Sequence, residues 1–295
     1  MRILITGSNG LLGQKLVTLC QAKNITYFAT SKGENRNSKC SAENYYELDI
    51  TNQDAVNVVF NQLRPTHVIH TAAITNVDFC ELNPDDCELV NVTATEFLIN
   101  ASNAVNAHFQ LLSTDFVFDG EKGNYKEEDE VNPLSVYAES KVKGEVLTQG
   151  LAKNDWSIVR TIIVYGNGEN LSRSNVIAWA KGALDKGDEI NIIDDQFRAP
   201  TFAEDLAAGC LAILEKDKNG IFHISGPETM SIFQIVERIA SYFSVNMDKV
   251  NKISSTTLDQ PAKRPPKTGF DLSKAYRELD YSPRTLEETL AILYP

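Results

Sequence analysis

The stretch ILITGSNGLLGQKL, residues 3–16, constrains the fold more than any other. An aliphatic strand runs into glycines at 7, 10 and 13, and a helix with apolar residues at helical spacing follows without a break. Glycines there allow a tight turn and let the backbone approach a ligand closely. The helix start adds free amide donors and the positive end of its dipole. The same glycines can be read as turn and packing residues alone, but their place between strand and helix favours a pyrophosphate cradle. Its candidate residues are Gly7, Asn9, Gly10, Leu11, Leu12 and Gly13.

The pattern then repeats. Apolar, β-rich runs at Arg2–Thr6, Ile25–Thr30, Tyr46–Leu48, His67–Thr71, Phe109–Ser113 and Ser157–Val164 alternate with helical stretches at Leu11–Ala22, Gln53–Gln62 and Asp86–Ala104. Such alternation predicts a parallel sheet covered on both faces, a Rossmann-type doubly wound α/β fold. After Gly166 comes a polar loop, GNGENLSRSN, then a helix over Val176–Lys186, a strand at Ile190–Ile193, a helix over Phe202–Glu215 and a strand at Ile221–Ser225. Ser231 is the expected N-cap of a helix reaching Phe243, and Thr285 that of a last short helix. Prolines make the segment SSTTLDQPAKRPPKTGFD extended. The expected division is a dinucleotide domain over residues 1–166, which also receives about 190–225. A smaller interleaved lobe takes 167–189 and 226–295.

The chain of 295 residues carries 40 acidic and 28 basic side chains, a net charge of −12 that disfavours nucleic acid as a partner. Five scattered cysteines (Cys20, Cys40, Cys80, Cys87, Cys210) form no C-x-x-C pair and read as packing residues of a reduced protein. His67, His70, His108 and His223 fall in or beside strands and read as structural. Trp156 and Trp179 read as packing residues, and no metal-ligand set is visible. With no signal peptide and no membrane-length apolar run, a cytoplasmic location is expected.

The second strand ends in ATSKGENRN without an acid. Ser31, Lys32 and Arg36 offer a hydroxyl and two cations to a 2′-phosphate, which favours NADP over NAD; a solvated loop is the alternative. Asp49 ends the third strand, where it can accept from an adenine amino group while Ile50 packs on the ring, or can cap the helix near Gln53. In PLSVYAESKVKGE, Tyr137 and Lys141 stand four apart, so a phenol and an ammonium share one helix face.

TGSNGLLG, LDI, HTAA, NVTATEFL, STDFVF and YAESK together resemble the extended short-chain dehydrogenase/reductases. AAITNVDFCE, LLSTDFVFDG, RTIIVYG, DDQFRAPTFAEDLA and KRPPKTGFDLSKAYRELDYSPRTLEETL carry the likeness over nearly the whole chain, toward the dTDP-4-dehydrorhamnose reductases. This resemblance implies reduction of the 4-keto group of a nucleotide-activated deoxysugar by NADPH, with NADH possible. It makes Tyr137 the general acid, Lys141 the group that binds the nicotinamide ribose and lowers the tyrosine's pKa, and Thr114 the hydroxyl on the substrate carbonyl. Ser113 is a possible substitute for Thr114, although strand alternation points only one of the two at the site.

The resemblance also sets Ala72 and Ala73 against the cofactor and makes Asn91 a buttress of the active-site helix. Asn76, Val77 and Asp78 match a loop flanking the sugar. Arg264, in KRPP, is a candidate for the diphosphate, with a solvated arginine as the alternative. Two residues depart from the reductase pattern. Ile163 replaces a tryptophan, and Arg198 replaces the glycine of D-Q-x-G-x-P-T, adding bulk and charge near the substrate lobe.

Three rival readings follow from the same superfamily. Dehydratases carry threonine, aspartate and glutamate in succession; this chain has Thr114, Asp115 and Phe116. Epimerases share Y-x-x-x-K with bound NAD. A non-catalytic regulatory subunit, similar to that of methionine adenosyltransferase, is the third. The resemblance further implies a homodimer formed through Asp86–Ala104 and Val136–Leu151.

Overall fold

Seven of the apolar runs meet in one all-parallel sheet in the computed structural model, which describes residues 1–171 and 174–295. Ser172 and Arg173, part of the stretch read as a polar loop, lie outside the described residues. The first half of the chain runs β1 (Arg2–Thr6), α1 (Leu11–Ala22), β2 (Thr26–Ser31), β3 (Tyr45–Glu47), α2 (Gln53–Leu63), β4 (His67–His70), α3 (Val77–Leu82), α4 (Pro84–Glu88), α5 (Ala94–Val105), β5 (His108–Thr114), α6 (Val136–Leu151) and β6 (Trp156–Thr161). It continues through β7 (Val164–Tyr165), α7 (Val176–Lys186), β8 (Ile190–Ile193), β9 (Phe197–Arg198), β10 (Thr201–Phe202), α8 (Ala203–Glu215) and β11 (Gly220–His223). The last elements are β12 (Met230–Ser231), α9 (Ile232–Phe243), β13 (Val250–Ile253), α10 (Ser273–Leu279) and α11 (Leu286–Leu293).

The strand order is β11-β6-β5-β4-β1-β2-β3, which reverses direction at β1. That reversal opens a crevice at the carboxyl ends of β1 and β4, where doubly wound folds bind ligands. Ile3 and Ile5 point into one apolar layer and Leu4 into the other, because successive strand residues face opposite ways. Each such side chain contributes about 1.5–3 kcal/mol by leaving water.

A third apolar cluster lies apart from the sheet, between α7, α9, β8 and α11. Local signals set its helices: Ser231 and Gln234 form a capping box on α9, and Thr285 and Glu288 form one on α11. Three features differ from the sequence reading. Ile190–Ile193 pairs with β13 rather than rejoining the main sheet. Asp86–Ala104 is not one helix, because a π turn over Leu89–Thr93 separates α4 from α5. Trp179 is 45% exposed on α7, since it falls on the side of that helix away from the lobe's core.

Candidate active site

Above the carboxyl ends of β1, β4, β5 and β6 lies a cleft of about 540 Å³. Its floor at one end is the glycine turn. Gly7 has φ +69°, and a Cβ there would fall 2.8 Å from the Ala72 amide; a Cβ on Gly13 would fall 2.5 Å from the Gly7 carbonyl. Helix α1 starts at Gly10 with no side-chain cap and no acid in its first turn. Its first-turn amides are therefore left without a side-chain cap beside the cleft, the donor set a diphosphate requires. The residues present thus fit a dinucleotide: only glycine leaves the space, and only an uncapped helix leaves the donors.

Of the residues singled out from sequence, Gly7, Asn9, Gly10, Leu11, Leu12, Gly13, Arg36, Ala73, Val77, Thr114, Tyr137, Lys141 and Ile163 line this cleft. Ser31 lies behind them and accepts the Asn9 amide proton at 3.0 Å. The Asn9 carboxamide accepts from the Arg36 amide at 2.8 Å and donates to the Glu34 carbonyl at 2.8 Å, so it folds the 34–36 loop toward the glycine turn. Lys32 extends into solvent and ion-pairs with Asp49 at 2.7 Å. Asp49 does not cap α2: its carboxylate accepts from the Thr51 amide and hydroxyl at 3.0 and 2.7 Å, while Asn52 caps the helix. Ile50 is buried in the sheet's second apolar layer, against which Ala72 packs.

Asn91 sits in the π turn, and its carboxamide brackets Ile74. It accepts from that residue's amide at 2.8 Å and donates to its carbonyl at 3.0 Å. It also donates to the Ser140 hydroxyl at 3.0 Å, which ties the loop after β4 to α6. The extra backbone residue of the π turn turns this side chain inward, a use of such bulges that recurs at functional sites.

Of the loop read as flanking the sugar only Val77 lines the cleft; Asn76 caps α3, and Asp78 is held by Arg264 at 2.6 Å. Arg198 corrects the sequence reading. It is 2% exposed and is not among the residues that line the cleft. Its guanidinium is enclosed among protein groups, donating to the carbonyls of Phe197, Pro265 and Pro266 at 2.7, 2.6 and 3.2 Å.

The family model described as RmlD substrate binding domain matches residues 1–294. This chain belongs to that family.

Relatives of this RmlD-family chain include the dTDP-4-dehydrorhamnose reductase of Aggregatibacter actinomycetemcomitans, 33% identical over 98% of this chain and 97% of the relative. Methionine adenosyltransferase 2 subunit beta of Bos taurus is 30% identical over 92% of this chain and 81% of its own length. Among solved structures, a dTDP-4-dehydrorhamnose reductase from Clostridium acetobutylicum superposes with a TM-score of 0.87 at 32% identity, over 99% of this chain and 98% of that one. The Bacillus anthracis dTDP-4-dehydrorhamnose reductase in complex with NADP gives a TM-score of 0.86 at 27% identity, over 99% and 98%.

In the RmlD-family cleft, electrostatics sort the polar side chains. Tyr137 is buried, and desolvation drives its phenol well above the ordinary value of 10.0; a hydrogen bond with Thr114 works in the opposite direction. Lys141 is 5% exposed, and desolvation lowers its ammonium to about 8, partly offset by the charge of Glu145. Tyr137 therefore rests protonated, and Lys141 is the site's titrating cation near neutrality. Ser113 also lines the cleft, but its hydroxyl is engaged by Glu145, to which it donates at 2.5 Å.

Other wall residues carry no role in the sequence reading, although Thr71 lies in HTAA, Thr161 in RTIIVYG and Leu206 in DDQFRAPTFAEDLA. Thr71 follows β4, Thr161 ends β6, Leu206 comes from α8, and Leu171, Ser174 and Asn175 come from the loop before α7. The rule that ligands sit beyond the carboxyl ends of parallel strands points to Thr71 and Thr161. No sequence signal singles out Leu171, Ser174 or Asn175.

Among the described residues, no cluster of His, Cys, Asp or Glu is arranged to hold a metal, and no helix is long and apolar enough to cross a membrane.

Proposed function

We propose that this chain reduces the 4-keto group of a nucleotide-activated deoxysugar, dTDP-4-dehydrorhamnose in the first instance, with NADPH as the reductant. One observation carries the reading. Thr114, Tyr137 and Lys141 converge on the same cleft that the uncapped glycine turn enters. A bound nicotinamide dinucleotide would supply the hydride, and Gly7, Gly10, Leu11, Leu12 and Gly13 would hold its phosphates.

The chain's own groups do the rest. Tyr137 carries the proton that the developing alkoxide takes up. Thr114 orients the carbonyl, and the Lys141 ammonium favours loss of the phenolic proton once an acceptor is in place. Ser31, Lys32 and Arg36 are the 2′-phosphate side of the site, Asp49 and Ile50 the adenine side. Ala72, Ala73 and Asn91 shape the nicotinamide end. Asn76, Val77, Asp78, Ile163 and Arg264 form the sugar-nucleotide side. Phe116 argues against dehydration, because no second carboxylate follows Asp115.

A cytoplasmic location belongs to the same proposal. Exposed Leu82, Leu89 and Val146, on neighbouring parts of α3, the π turn and α6, favour pairing of two copies through this face.

The test is NADPH and NADH oxidation against a panel of 4-keto nucleotide sugars. The expected result is turnover of dTDP-4-dehydrorhamnose that Tyr137→Phe abolishes. Tight NADPH binding with no turnover on any sugar would replace this reading with a regulatory one, which likeness to methionine adenosyltransferase 2 subunit beta favours.

A further inference from the structure

Arg198 stands where the reductase pattern has glycine, and it is among the largest fully buried side chains of the protein. Burying a guanidinium is costly unless its donors and charge are met. Here they are met by two separate pieces of chain. Two nitrogens donate to the Pro265 and Pro266 carbonyls at 2.6 and 3.2 Å, and a third lies 3.7 Å from the Asp115 carboxylate. The guanidinium also sits 5.3 Å over the Phe116 ring.

Both pieces lead to the cleft. Asp115 accepts the Thr114 hydroxyl proton at 3.1 Å and, at its other oxygen, that of Thr268. Phe116 lines the cleft and meets Tyr137 edge-on, with ring centroids 6.3 Å apart. The strap 262–268 is pinned at its other end by Asp78, which takes the Ala262 amide at 3.3 Å and Arg264 at 2.6 Å.

We infer that Arg198 is a positioning residue that fixes the Arg264-bearing strap to the Thr114–Phe116 turn. It thereby holds the diphosphate end of the sugar-nucleotide site at a set distance from the reacting end. The inference rests on the proposed reductase function. A planar fork is needed because the carbonyls of two adjacent residues and a carboxylate lie in different directions from one side chain. Glycine would leave the Pro265 carbonyl without its donor and remove the guanidinium between that carbonyl and Asp115, so the strap would be held by the Phe197 backbone pairs, the Thr268–Asp115 bond and Asp78.

The test uses the full chain and three variants: Arg198→Gly, Arg198→Lys and Tyr137→Phe. Calorimetric titration with dTDP is expected to show affinity lowered at least about tenfold in Arg198→Gly, as for a misplaced ligand group. NADPH affinity should stay at the wild-type value. In turnover, KM for the sugar should rise more than kcat falls. Millimolar guanidinium, but not equal sodium chloride, should restore dTDP affinity to Arg198→Gly by filling the vacated volume. Arg198→Lys should resemble the glycine variant, because one ammonium cannot span the three acceptors.

Wild-type dTDP affinity in Arg198→Gly, or full affinity in Arg198→Lys, would overturn the inference while the reductase reading stands. Equal loss of NADPH and dTDP binding would reduce Arg198 to a general stabiliser. A wild-type protein that binds no dTDP and reduces no sugar would end both. Tyr137→Phe separates chemistry from positioning, since it should lose turnover and keep dTDP affinity.

Discussion

Arg160 grips Glu145 through two contacts of 3.0 and 2.7 Å, and both side chains are buried. Glu145 lies one helical turn beyond Lys141 and also receives the Ser113 hydroxyl at 2.5 Å. The pair therefore clamps α6, with its phenol and ammonium, to the ends of β5 and β6.

Removing one partner leaves an uncompensated buried charge. Arg160→Met is expected to cost about 3–5 kcal/mol of stability, measured by denaturant unfolding. Arg160→Met with Glu145→Met should recover much of that loss. If the double variant is no more stable than the single one, the pair is not the source of the cost.

Lys141 carries a stability penalty with a definite sign. Its ammonium titrates at about 8 in the fold against 10.5 ordinarily, chiefly through desolvation. The unfolded chain thus binds more protons between these values, so stability rises with pH from about 8 to 10.5 and the penalty is constant below. Lys141→Met should stabilise the free protein by up to about 3 kcal/mol at pH 7. The same variant should lose most turnover, and the wild-type rate should fall as pH rises through about 8. A destabilised Lys141→Met would contradict this account.

Acid should weaken the fold from the other direction. Burial lowers His70 to about 3 and His108 to about 4, and holds His67 and His223 below 6.5 as well. Below pH 6.5 the unfolded chain takes up protons that the folded one refuses. Stability should therefore fall as pH drops from 6.5 toward 4, by about 1.4 kcal/mol per pH unit for each histidine involved. Urea midpoints across pH 4–7 would measure it, and a flat profile would refute it.

Ile163 adopts φ +31°, a left-handed conformation that β-branched residues rarely enter. The Thr201 amide holds its carbonyl at 3.1 Å, and the side chain is kept on the cleft wall. Glycine relaxes this strain and alanine does not. Ile163→Gly is expected to be more stable than Ile163→Ala by about 1 kcal/mol in thermal unfolding, reversing the usual order. Both should raise the sugar KM.

How much of this was legible in the sequence depends on how local the cause is. The glycine turn, the caps at Ser231 and Thr285, and the Tyr137–Lys141 face are set by neighbours within a few residues, and a sequence displays such causes directly. The π turn at Asn91 was missed because 3.6-residue spacing continues almost unbroken through it. Arg198 was misplaced because its acceptors, Asp115 and Pro265, lie 83 and 67 residues away by position number. Ile163 was recognised as a departure, but its strain comes from β10 and has no signature in the adjoining residues.

The main sheet is finished late. β6 ends at Thr161, yet its neighbour β11 begins only at Gly220, after the chain has built α7, β8 and α8. On the ribosome, a nascent chain that has emerged only as far as β6 exposes an unpaired hydrophobic edge until some sixty further residues are made.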